Sequence, residues 1–536
     1  MSNETISVTP GCQVIVFPFR NEGPGFDFNE LSESDPFDIS RELFACSFAK
    51  TADRPEGSFT LSLSNTRDWK QFLAPGSWVL IYLSECSADL DFPSDPLGTN
   101  LARPNLENLK RQKSKLRGIC RIDRVSVEAS FDLNGGQEIA YHVTGRDIGV
   151  CYQEAFCFHN VFLQDRSMID SATAYLTSRP TQTVDQLLTT IHKLFFSPRD
   201  FATMSHRSPY DRESLSSTGF QFLLPRALLK ALDLKLREGT HEPFYGNIEG
   251  LLQFSPTLAT NPVENVLNTL RGNPWTQLKS HSVEQLHELL VETDDEGAPH
   301  LIFRPIPWKI SGENYPDLDA SIPAYRSLAK GAVEIKPIDI LSFDLGEDDH
   351  SRYNHFFTFM ETSDISVNEN ISQLQMASRA GRLFPYAQTE SIAQHGCRPM
   401  HCSLNTNVIL GLQLDGKANE KLLVQWNEVI YDLWGQALLF ESGHVNIIGK
   451  NDVKIGKAVL FDESVSYMGG RIGYIESYTD EFTLDEHGVA SWTQQIGLTR
   501  VCELDALKDV ADRKVKESTL KHRGRAFNDT GSFTKG

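Results

Sequence analysis

The chain has 536 residues, of which 40% are hydrophobic, so it is long enough for about two to four domains with buried cores. A formal net charge of -20 argues against a general nucleic-acid-binding protein, because such a protein carries an excess of Lys and Arg. No apolar run approaches the roughly 18 residues of a membrane span, and the first residues lack the basic and apolar regions of a secretory signal, so we expect neither.

Nine cysteines are scattered along the chain. Their number is odd, and their spacing does not suggest a framework of disulfides. We therefore expect reduced thiols in a protein that is assembled in the cytosol.

Residues 1–160 are predicted to form an N-terminal arm and a first β-barrel. The stretch at 27–39 is acidic and rich in turn-forming residues, which is typical of a loop or an extended arm. Beyond it, apolar residues alternate with Thr and Ser, and an Asn-Gly-Gly turn separates two later apolar runs, which predicts half-buried strands and a hairpin. The predicted strands contain Phe59, Leu61 and Leu63, begin again at Trp78, and cover 119–127 and 138–144.

The segment at 86–117 separates two of these strands. It is rich in Pro, Asn and Ser, and it ends in the basic run KRQKSKLR. Such composition predicts a long surface insertion.

Residues 161–325 are predicted to form a mixed α/β insertion. Thr183 and Ser282 each begin a capping box, in which a hydroxyl and a Gln three residues later satisfy open N–H groups at the start of a helix. Apolar residues at helical spacing follow both, so each predicts a helix. A third helix is predicted from Pro225, a residue favoured in the first turn, to Gly239.

Residues 326–505 are predicted to form a second β-barrel. Strands are predicted at 338–345 and 356–360, and the chain again has a β pattern from 444 to 501. A helix at 419–434 is predicted from apolar residues that recur on one face.

Residues 506–536 carry eight Lys or Arg against four Asp or Glu and few large apolar residues. This composition predicts a flexible basic tail.

Two segments of the chain follow one template. Each runs from a glycine through a strand, a glycine-containing turn and a second strand to an arginine, at 118–146 and at 473–500. Upstream, a glycine turn and an apolar strand at 75–83 parallel those at 455–463. The pattern predicts two similar β units in one chain, although two unrelated hairpins with the same turn chemistry would also produce it. Three such chains would present six similar units.

These motifs resemble the baseplate-hub family of contractile-tailed phages, which includes the Mu-like and T4-like hubs and the hub part of type VI secretion spike proteins. The sequence departs from the family in its long segment at 86–117, its large N-terminal arm and His395, which stands where many relatives have an aromatic residue. The motifs that carry the resemblance occur in family order: FTLSLSN at 59–65, PGSWVLIYL at 75–83, GICRIDRVSV at 118–127, YHVTGRD at 141–147, EIKPIDILSFDLGEDDHSRYNHF at 334–356, SIAQHGCR at 391–398, VNIIGKNDVKIGKAVLF at 445–461, GYIESYTDEF at 473–482 and GLTRV at 497–501.

The resemblance implies an α+β fold that is mainly β, with two similar small tube-like β-barrel domains flanking the mixed α/β insertion. It implies a homotrimer whose barrels form a pseudo-hexameric ring between a hexameric tail tube, or a tube adaptor, and a trimeric central spike. The protein would be structural, without a cofactor and without membrane contact, and would lie in the tail baseplate of a virion after assembly in the host cytoplasm. Genome DNA would pass through the ring, and an acidic lumen would repel its phosphates.

Several groups of residues are candidate sites of chemistry, and none carries a complete catalytic motif. His395, Cys397, His401 and Cys402 are residue types that zinc accepts, but they lack a paired Cys-x2-Cys partner, so a structural loop is the alternative to a metal site. For the remaining groups a structural role is favoured: packing for Cys151, Cys157 and His159, and a solvated turn for Asp294, Asp295 and Glu296 and for Glu347, Asp348 and Asp349.

Interface residues are predicted from position and charge. Arg146 and Asp147 end a predicted strand, where they would form an ion pair or a trimer contact rather than a catalytic pair. Arg500 stands at the matching place in the second template. The basic tail is predicted to bind an acidic neighbour, either the spike or the tube adaptor. Its candidate contact residues are Lys514, Lys516, Arg523 and Arg525.

Two other functions remain open at this point. A tail-associated cell-wall hydrolase would need a lysozyme-like or peptidase-like motif, and none is found in the sequence. A peripheral baseplate or receptor-binding β-protein would occupy an outer position in the particle rather than an axial one.

Overall fold

The computed structural model describes residues 9–18, 36–93, 101–131, 137–154, 228, 231–232, 245–248, 273–282, 284–285, 287–294, 297–307, 325–347, 352–361, 386–405, 430–431, 433–435, 440–485 and 487–504. Strands dominate these residues, and the helices among them are short, which confirms the predicted mainly β class. No helix among them is long and apolar enough to cross a membrane.

The described residues in the first part of the chain form seven strands and two α-helices. They are β1 (Gly11–Phe17), β2 (Phe37–Asp38), β3 (Leu43–Thr51), β4 (Ser58–Leu63), β5 (Trp78–Ser84), α1 (Leu106–Arg111), β6 (Leu116–Phe131), β7 (Gln137–Asp147) and α2 (Val150–Glu154).

The rest of the described chain is also rich in strands. Its elements are β8 (Tyr245–Ile248), α3 (Pro274–His281), β9 (His287–Thr293), β10 (Pro299–Pro305), β11 (Val333–Ile335), β12 (Ile340–Gly346), β13 (His355–Glu361), β14 (Tyr386–Ala387), α4 (Thr389–His395), β15 (Pro399–Asn405), β16 (Glu441–Ile448), β17 (Ala458–Phe461), β18 (Arg471–Leu484) and β19 (Ala490–Glu503).

One 13-stranded sheet runs through both predicted β units. Its order is β12-β16-β19-β18-β3-β4-β7-β6-β5-β1-β2, and β17, with β11 beside it, also pairs with β18. Two separate three-stranded sheets have the orders β8-β10-β9 and β14-β13-β15. The large sheet buries one face in a continuous hydrophobic core that contains side chains from both units.

The period-two pattern correctly identified the core face. Phe59, Leu61 and Leu63 in β4 are buried, whereas Thr60 between them is exposed. The predicted strands at Trp78, 119–127, 138–144, 338–345 and 356–360 are confirmed as β5, β6, β7, β12 and β13, and the β pattern after 444 as β16 to β19.

The prediction for 86–117 was wrong at its end. Leu116 and Arg117 are buried at the start of β6, and Gln112 is buried where its amide donates to Gln13 Oε1 at 2.6 Å. The basic composition predicted side chains that are exposed to solvent. These side chains are buried instead, because they contact residues that are distant in the sequence.

The helix predicted to begin at Ser282 was also wrong. A helix ends there instead: α3 is capped by Asn273 and begins with Pro274, and the Ser282 N–H donates to the Leu278 carbonyl at its C-terminal end. The following residues form β9, which pairs antiparallel with β10. Three consecutive buried residues, Leu289 to Val291, show that β9 is covered on both faces, so it lacks the alternation that marks a strand.

Other predictions fall partly or wholly outside the described residues. The helix from Thr183, the acidic stretch up to residue 35, the Asn-Gly-Gly turn and the tail at 506–536 lie outside them. In the helix predicted from Pro225, residues 228 and 231–232 are helical. In the helix predicted at 419–434, residues 430–431 and 433–434 are helical, and the Gly435 N–H donates to the Tyr431 carbonyl.

The two templates form the same five-stranded arrangement. Strands β3, β4, β5, β6 and β7 are paired in the same way as β12, β16, β17, β18 and β19. Each unit also makes the same pair of backbone hydrogen bonds at a left-handed glycine. Gly76 (φ 92°) donates to the Ile122 carbonyl, and Gly456 (φ 80°) donates to the Ile475 carbonyl.

These hydrogen bonds shift the alignment that the sequence suggested. Because Ile122 corresponds to Ile475, Gly118 corresponds to Arg471 and not to Gly473. The opposite ends of the templates are also displaced, since Arg146 lies opposite Arg121 and its counterpart is Thr499, which lies opposite Tyr474. Following the registers outward, Gly145 corresponds to Leu498, Phe59 to Gly443, Phe48 to Leu345, Arg124 to Ser477, and Val127 to Asp480.

Both units carry a β-bulge at the same position. The pairing of β3 with β4 shifts between Leu43 and Ala45, and the pairing of β12 with β16 shifts between Ile340 and Ser342. Bulges are specific features that bend a strand. Their matching positions support a true structural repeat rather than two unrelated hairpins.

Leu61→Ala is expected to lower the free energy of unfolding by about 2–5 kcal/mol, because Leu61 is fully buried in the common core. Thr60→Ala is the matched control, since its side chain is exposed on the same strand. Chemical denaturation of the two variants measures the difference. An equal effect of both substitutions would contradict the assignment of the core face.

Candidate assembly interface

The two units meet at the antiparallel pairing of β3 with β18. Its register extends from Ala45 opposite Thr483 to Thr51 opposite Ser477. The Ala52 N–H extends the pairing by donating to the Glu476 carbonyl at 2.8 Å. The units are therefore joined by backbone hydrogen bonds as well as by a shared core.

Asp480 is fully buried at this junction. It accepts hydrogen bonds from Arg117 Nε at 2.9 Å, Trp492 Nε1 at 3.0 Å and Gln494 Nε2 at 2.6 Å. Arg117 comes from the first unit, whereas the other three residues come from the second. The carboxylate thus connects the two units by an ion pair with several supporting hydrogen bonds, as a buried charge requires.

Arg117 makes further contacts across the junction. It donates to the carbonyls of Asn451 and Val453 at 3.0 and 2.8 Å. Its guanidinium lies 4.6 Å from the centre of the Tyr478 ring. These contacts hold the start of β6 against the second unit.

A second buried ion pair lies close to the junction. Lys50 Nζ is 2.6 Å from Asp147 Oδ2, and both side chains are buried. Burial alone lowers the pKa of Lys50, but the charges of Asp147 and Glu292 outweigh it and hold this pKa above its ordinary value. Glu292 belongs to β9 and accepts from the Ile455 N–H at 3.2 Å, so the middle segment also contributes to this charged core.

The face of the sheet opposite the core is lined by small and polar side chains. Because side chains alternate along a strand, these residues share one face across both units. Glu128 and Glu481 stand at corresponding positions on it. The small residues of this face are Ala45, Ser47, Ala49, Ser58, Thr60, Ser62, Thr144, Thr479, Thr483, Ser491 and Thr493.

Strand β12 lies at the edge of the sheet and is unusually apolar for an edge. Leu341 and Phe343 are 55% and 44% exposed, and Ile338 just before the strand is 80% exposed. Protein edges usually carry charges, Pro or a covering element to prevent pairing with other chains. This edge is therefore a candidate for pairing with another strand.

A matching open side exists on β6. This strand pairs with β5 only up to Arg121, so the described pairing of its later residues is with β7 alone. The open stretch corresponds to the part of β18 that pairs with β3. Val127 lies in it on the core side of the sheet and is 41% exposed.

The structure separates the predicted pair Arg146 and Asp147. Arg146 donates to Asp123 Oδ2 at 2.6 Å and also pairs with Glu154, and the hydrogen bond to Asp123 raises the pKa of Arg146 above its ordinary value. Asp147 points to the opposite face and binds Lys50. Each residue thus has its own ion pair within the chain, and contact with another chain stays a prediction.

Arg500 is buried rather than presented on the surface. It donates to the Leu433 carbonyl at 2.8 Å and lies over the rings of Trp434 and Phe440. The other predicted contact residues, Lys514, Lys516, Arg523 and Arg525, lie outside the described residues. Sequence reasoning missed Arg117 and Asp480, although a buried apolar pattern that contains an Asp, as in β18, is a usable signal.

The candidate metal group is not gathered into a site among the described residues, and Cys157 and His159 of the candidate nucleophile group lie outside them. His395, Cys397 and His401 are exposed, and the described part of the chain contains no group of three or more potential metal ligands. Burial raises the pKa of Cys151 well above its ordinary value, which disfavours the reactive thiolate. Asp294 binds His300 and the Ala298 N–H within the turn between β9 and β10, which is the structural role expected of it.

Asp480→Asn is expected to destabilise the junction by about 3–5 kcal/mol, because it leaves the charge of Arg117 buried without its counterion. The adjacent Glu481→Gln is the control, since Glu481 is exposed on the other face. Thermal unfolding of both variants measures the effect. A loss no larger than that of the control would contradict the role assigned to the ion pair.

Comparison with known proteins identifies structural neighbours. No family model matches the chain, and no curated protein matches it. Solved structures do match, including the tail protein from Neisseria meningitidis MC58, with 9% identity over 91% of this chain and 96% of that chain at a TM-score of 0.41. A 43 kDa tail protein of prophage MuSo2 from Shewanella oneidensis matches with 10% identity, 91% and 98% coverage and a TM-score of 0.40.

The E. coli c3393 protein, a component of the type VI secretion system, matches with 8% identity over 85% of this chain and 73% of that chain at a TM-score of 0.30. That protein is structurally similar to the T4 bacteriophage tail proteins gp27 and gp5. Phage tail proteins and a type VI secretion component are thus distant structural neighbours of this chain.

Proposed function

We propose that this chain is the structural baseplate hub of a contractile phage tail. Three copies form a pseudo-hexameric ring that joins the hexameric tail tube, or a tube adaptor, to the trimeric central spike and leaves a channel for DNA. One observation carries the proposal: the chain joins two copies of one strand arrangement edge to edge, and among the described residues no strand pairs with the corresponding edges on its outer flanks.

The junction within the chain indicates how two chains can pair. Within the chain, β18 of the second unit pairs with β3 of the first unit. The strands that correspond to them are β6 in the first unit and β12 in the second. Pairing β6 of one chain with β12 of the next would therefore repeat the same geometry. Carried over from Asp480 opposite Phe48, the register places Val127 opposite Leu345 of the next chain.

The side chains at this proposed junction fit burial. Val127, Ala129, Phe343 and Leu345 would all face the core side, and Val127 and Phe343 are exposed in the single chain. Burying such apolar surface stabilises association by about 25 cal/mol per Å² before the costs of binding are subtracted. A head-to-tail contact of this kind generates a ring where its rotation closes. The resemblance to baseplate hubs supports a ring of three chains.

The polar face supports the role of a channel. In a trimer the corresponding residues Glu128 and Glu481 would provide six carboxylates on this face. Negative charge repels DNA phosphates, and small hydroxyl side chains offer no deep pocket for a base. Such a lining would let the duplex pass without being held.

The proposed location is the tail baseplate of a virion that is assembled in the host cytoplasm. The role is structural, because the buried ionisable residues described here serve the fold: Lys50, Arg117, Asp147, Glu292 and Asp480 all bind each other or the backbone. The basic tail at 506–536 is proposed to dock on an acidic neighbour in the particle. Release of fragments from peptidoglycan by the pure protein would instead favour a cell-wall hydrolase.

A disulfide between chains tests the ring. Val127→Cys and Leu345→Cys are placed together in a Cys397→Ser background, which removes the thiol that is exposed among the described cysteines. Directly opposed residues of antiparallel strands are about 4.5–5.5 Å apart, within the range that a disulfide spans. Oxidation is expected to produce covalent trimers under denaturing electrophoresis, and native mass measurement is expected to give a trimer before oxidation.

The matched control pairs Val127→Cys with Ser342→Cys, which the proposed register keeps three positions apart. This control is expected to cross-link poorly. Equal cross-linking of both pairs would contradict the register, and a six-copy ring would contradict the trimer.

A further inference from the structure

The two ends of the proposed ring differ in how many of their connections repeat. At one end the connections after β6 and β18 are equal in length, although those after β4 (residues 64–77) and β16 (residues 449–457) are not. Strands β6 and β18 run in the same direction, because four successive antiparallel pairings, through β3, β4 and β7, link them. Both strands therefore end at the same end of the sheet, and in the sequence five residues, 132–136 and 485–489, follow each of them before the next strand. We call this the hairpin end, and its two hairpin connections are equal in length.

The two bulges also lie at the hairpin end, since β3 and β12 both begin there. Each bulge places one large apolar residue outside the regular ladder, Phe44 in β3 and Leu341 in β12. These side chains are 52% and 55% exposed. A single exposed apolar residue needs no explanation, but the same exposure at two corresponding positions creates a repeated feature.

The opposite end, which we call the loop end, does not repeat. Residues 85–115 connect β5 to β6, whereas the corresponding connection from β17 to β18 is only residues 462–470. Residues 52–57 connect β3 to β4, whereas residues 347–440 connect β12 to β16. In a trimer this end can show only three-fold symmetry.

We propose that the hairpin end docks a six-fold ring protein, and that the loop end faces the three-fold partner. Each of the six partner subunits would cover one bulge residue, Phe44 or Leu341, with an apolar contact. This inference rests on the proposed trimer. It assigns an end of the ring and two residues to the tail tube.

The contact is continuous with the junction between the units. Phe44 directly precedes Ala45, whose pairing with Thr483 is the last pair at that end of the β3–β18 ladder. A partner strand or loop that covers Phe44 would therefore also contact the end of this ladder. Leu341 lies next to the corresponding end of the proposed ladder between β12 and β6 of the next chain.

Cysteine labelling of the full-length trimer tests the assignment. Phe44→Cys, Leu341→Cys and Tyr467→Cys are each introduced with Cys397→Ser, and maleimide labelling is compared before and after addition of the purified tube protein of the same particle. Tyr467 is the matched control, because it is 89% exposed at the loop end. We expect labelling at positions 44 and 341 to slow to a similar extent, and labelling at position 467 to stay unchanged.

Binding strength provides a second measurement. Phe44→Asp and Leu341→Asp are each expected to weaken binding of the tube protein by roughly tenfold or more, whereas Tyr467→Asp is expected to leave it unchanged. Native mass measurement must show that each variant is still a trimer.

The outcomes are distinct. Protection of only one bulge position, or of Tyr467 instead of both, would overturn the assignment of the six-fold end while leaving the trimer intact. If the chain stays monomeric, and the variant with Val127→Cys and Leu345→Cys forms no cross-link between chains, the proposed function is overturned instead.

Discussion

Two charges buried where the units meet, Arg117 and Asp480, determine how the rest of the sheet is arranged. Side chains alternate along a strand, so a slip of one residue in β18 would turn Asp480 to the polar face and leave Arg117 without its counterion. The same slip would move Tyr478 and Phe482 out of the core. The ion pair and the core thus favour one register of β18, and this register sets the position of each unit relative to the other.

The junction within the chain and the proposed junction between chains differ in chemistry. The residue of β6 that corresponds to Asp480 is Val127, which cannot neutralise a buried guanidinium. A chain whose β3 paired with β6 of a neighbour would bury Arg117 without a carboxylate, at a cost of several kcal/mol. The two junctions share a backbone geometry but are not interchangeable, so each chain joins its own units and meets its neighbours through apolar side chains.

Local patterns predicted local features well. The alternation around Phe59 to Leu63 identified a strand and its buried face, because a half-buried strand in water produces that pattern directly. The repeat was also visible in the sequence. The hydrogen bonds of Gly76 and Gly456, however, align the two units with an offset of two residues from the alignment that matches Gly118 with Gly473. The separation of Arg146 from Asp147 follows from the same alternation, since neighbours on a strand point to opposite faces.

Features that depend on distant partners could not be predicted in this way. The capping pattern at Ser282 is a signal for only one turn of backbone. The residues that follow it form a strand because β9 pairs with β10. Arg117 ends a basic run that suggests solvent, and its counterion is separated from it by 363 positions in the sequence. No window of sequence contains both members of that pair.

The long sequence separation across the β3–β18 ladder has a consequence for biosynthesis. A ribosome completes β3 (Leu43–Thr51) long before β18 (Arg471–Leu484), so the first unit waits with that edge unpaired while the residues between them are made. Contacts between distant segments also slow folding, because a long loop must close before they can form. The nascent chain is therefore at risk of wrong edge-to-edge pairing. This risk is greatest on polysomes, where several copies of the chain are made close together.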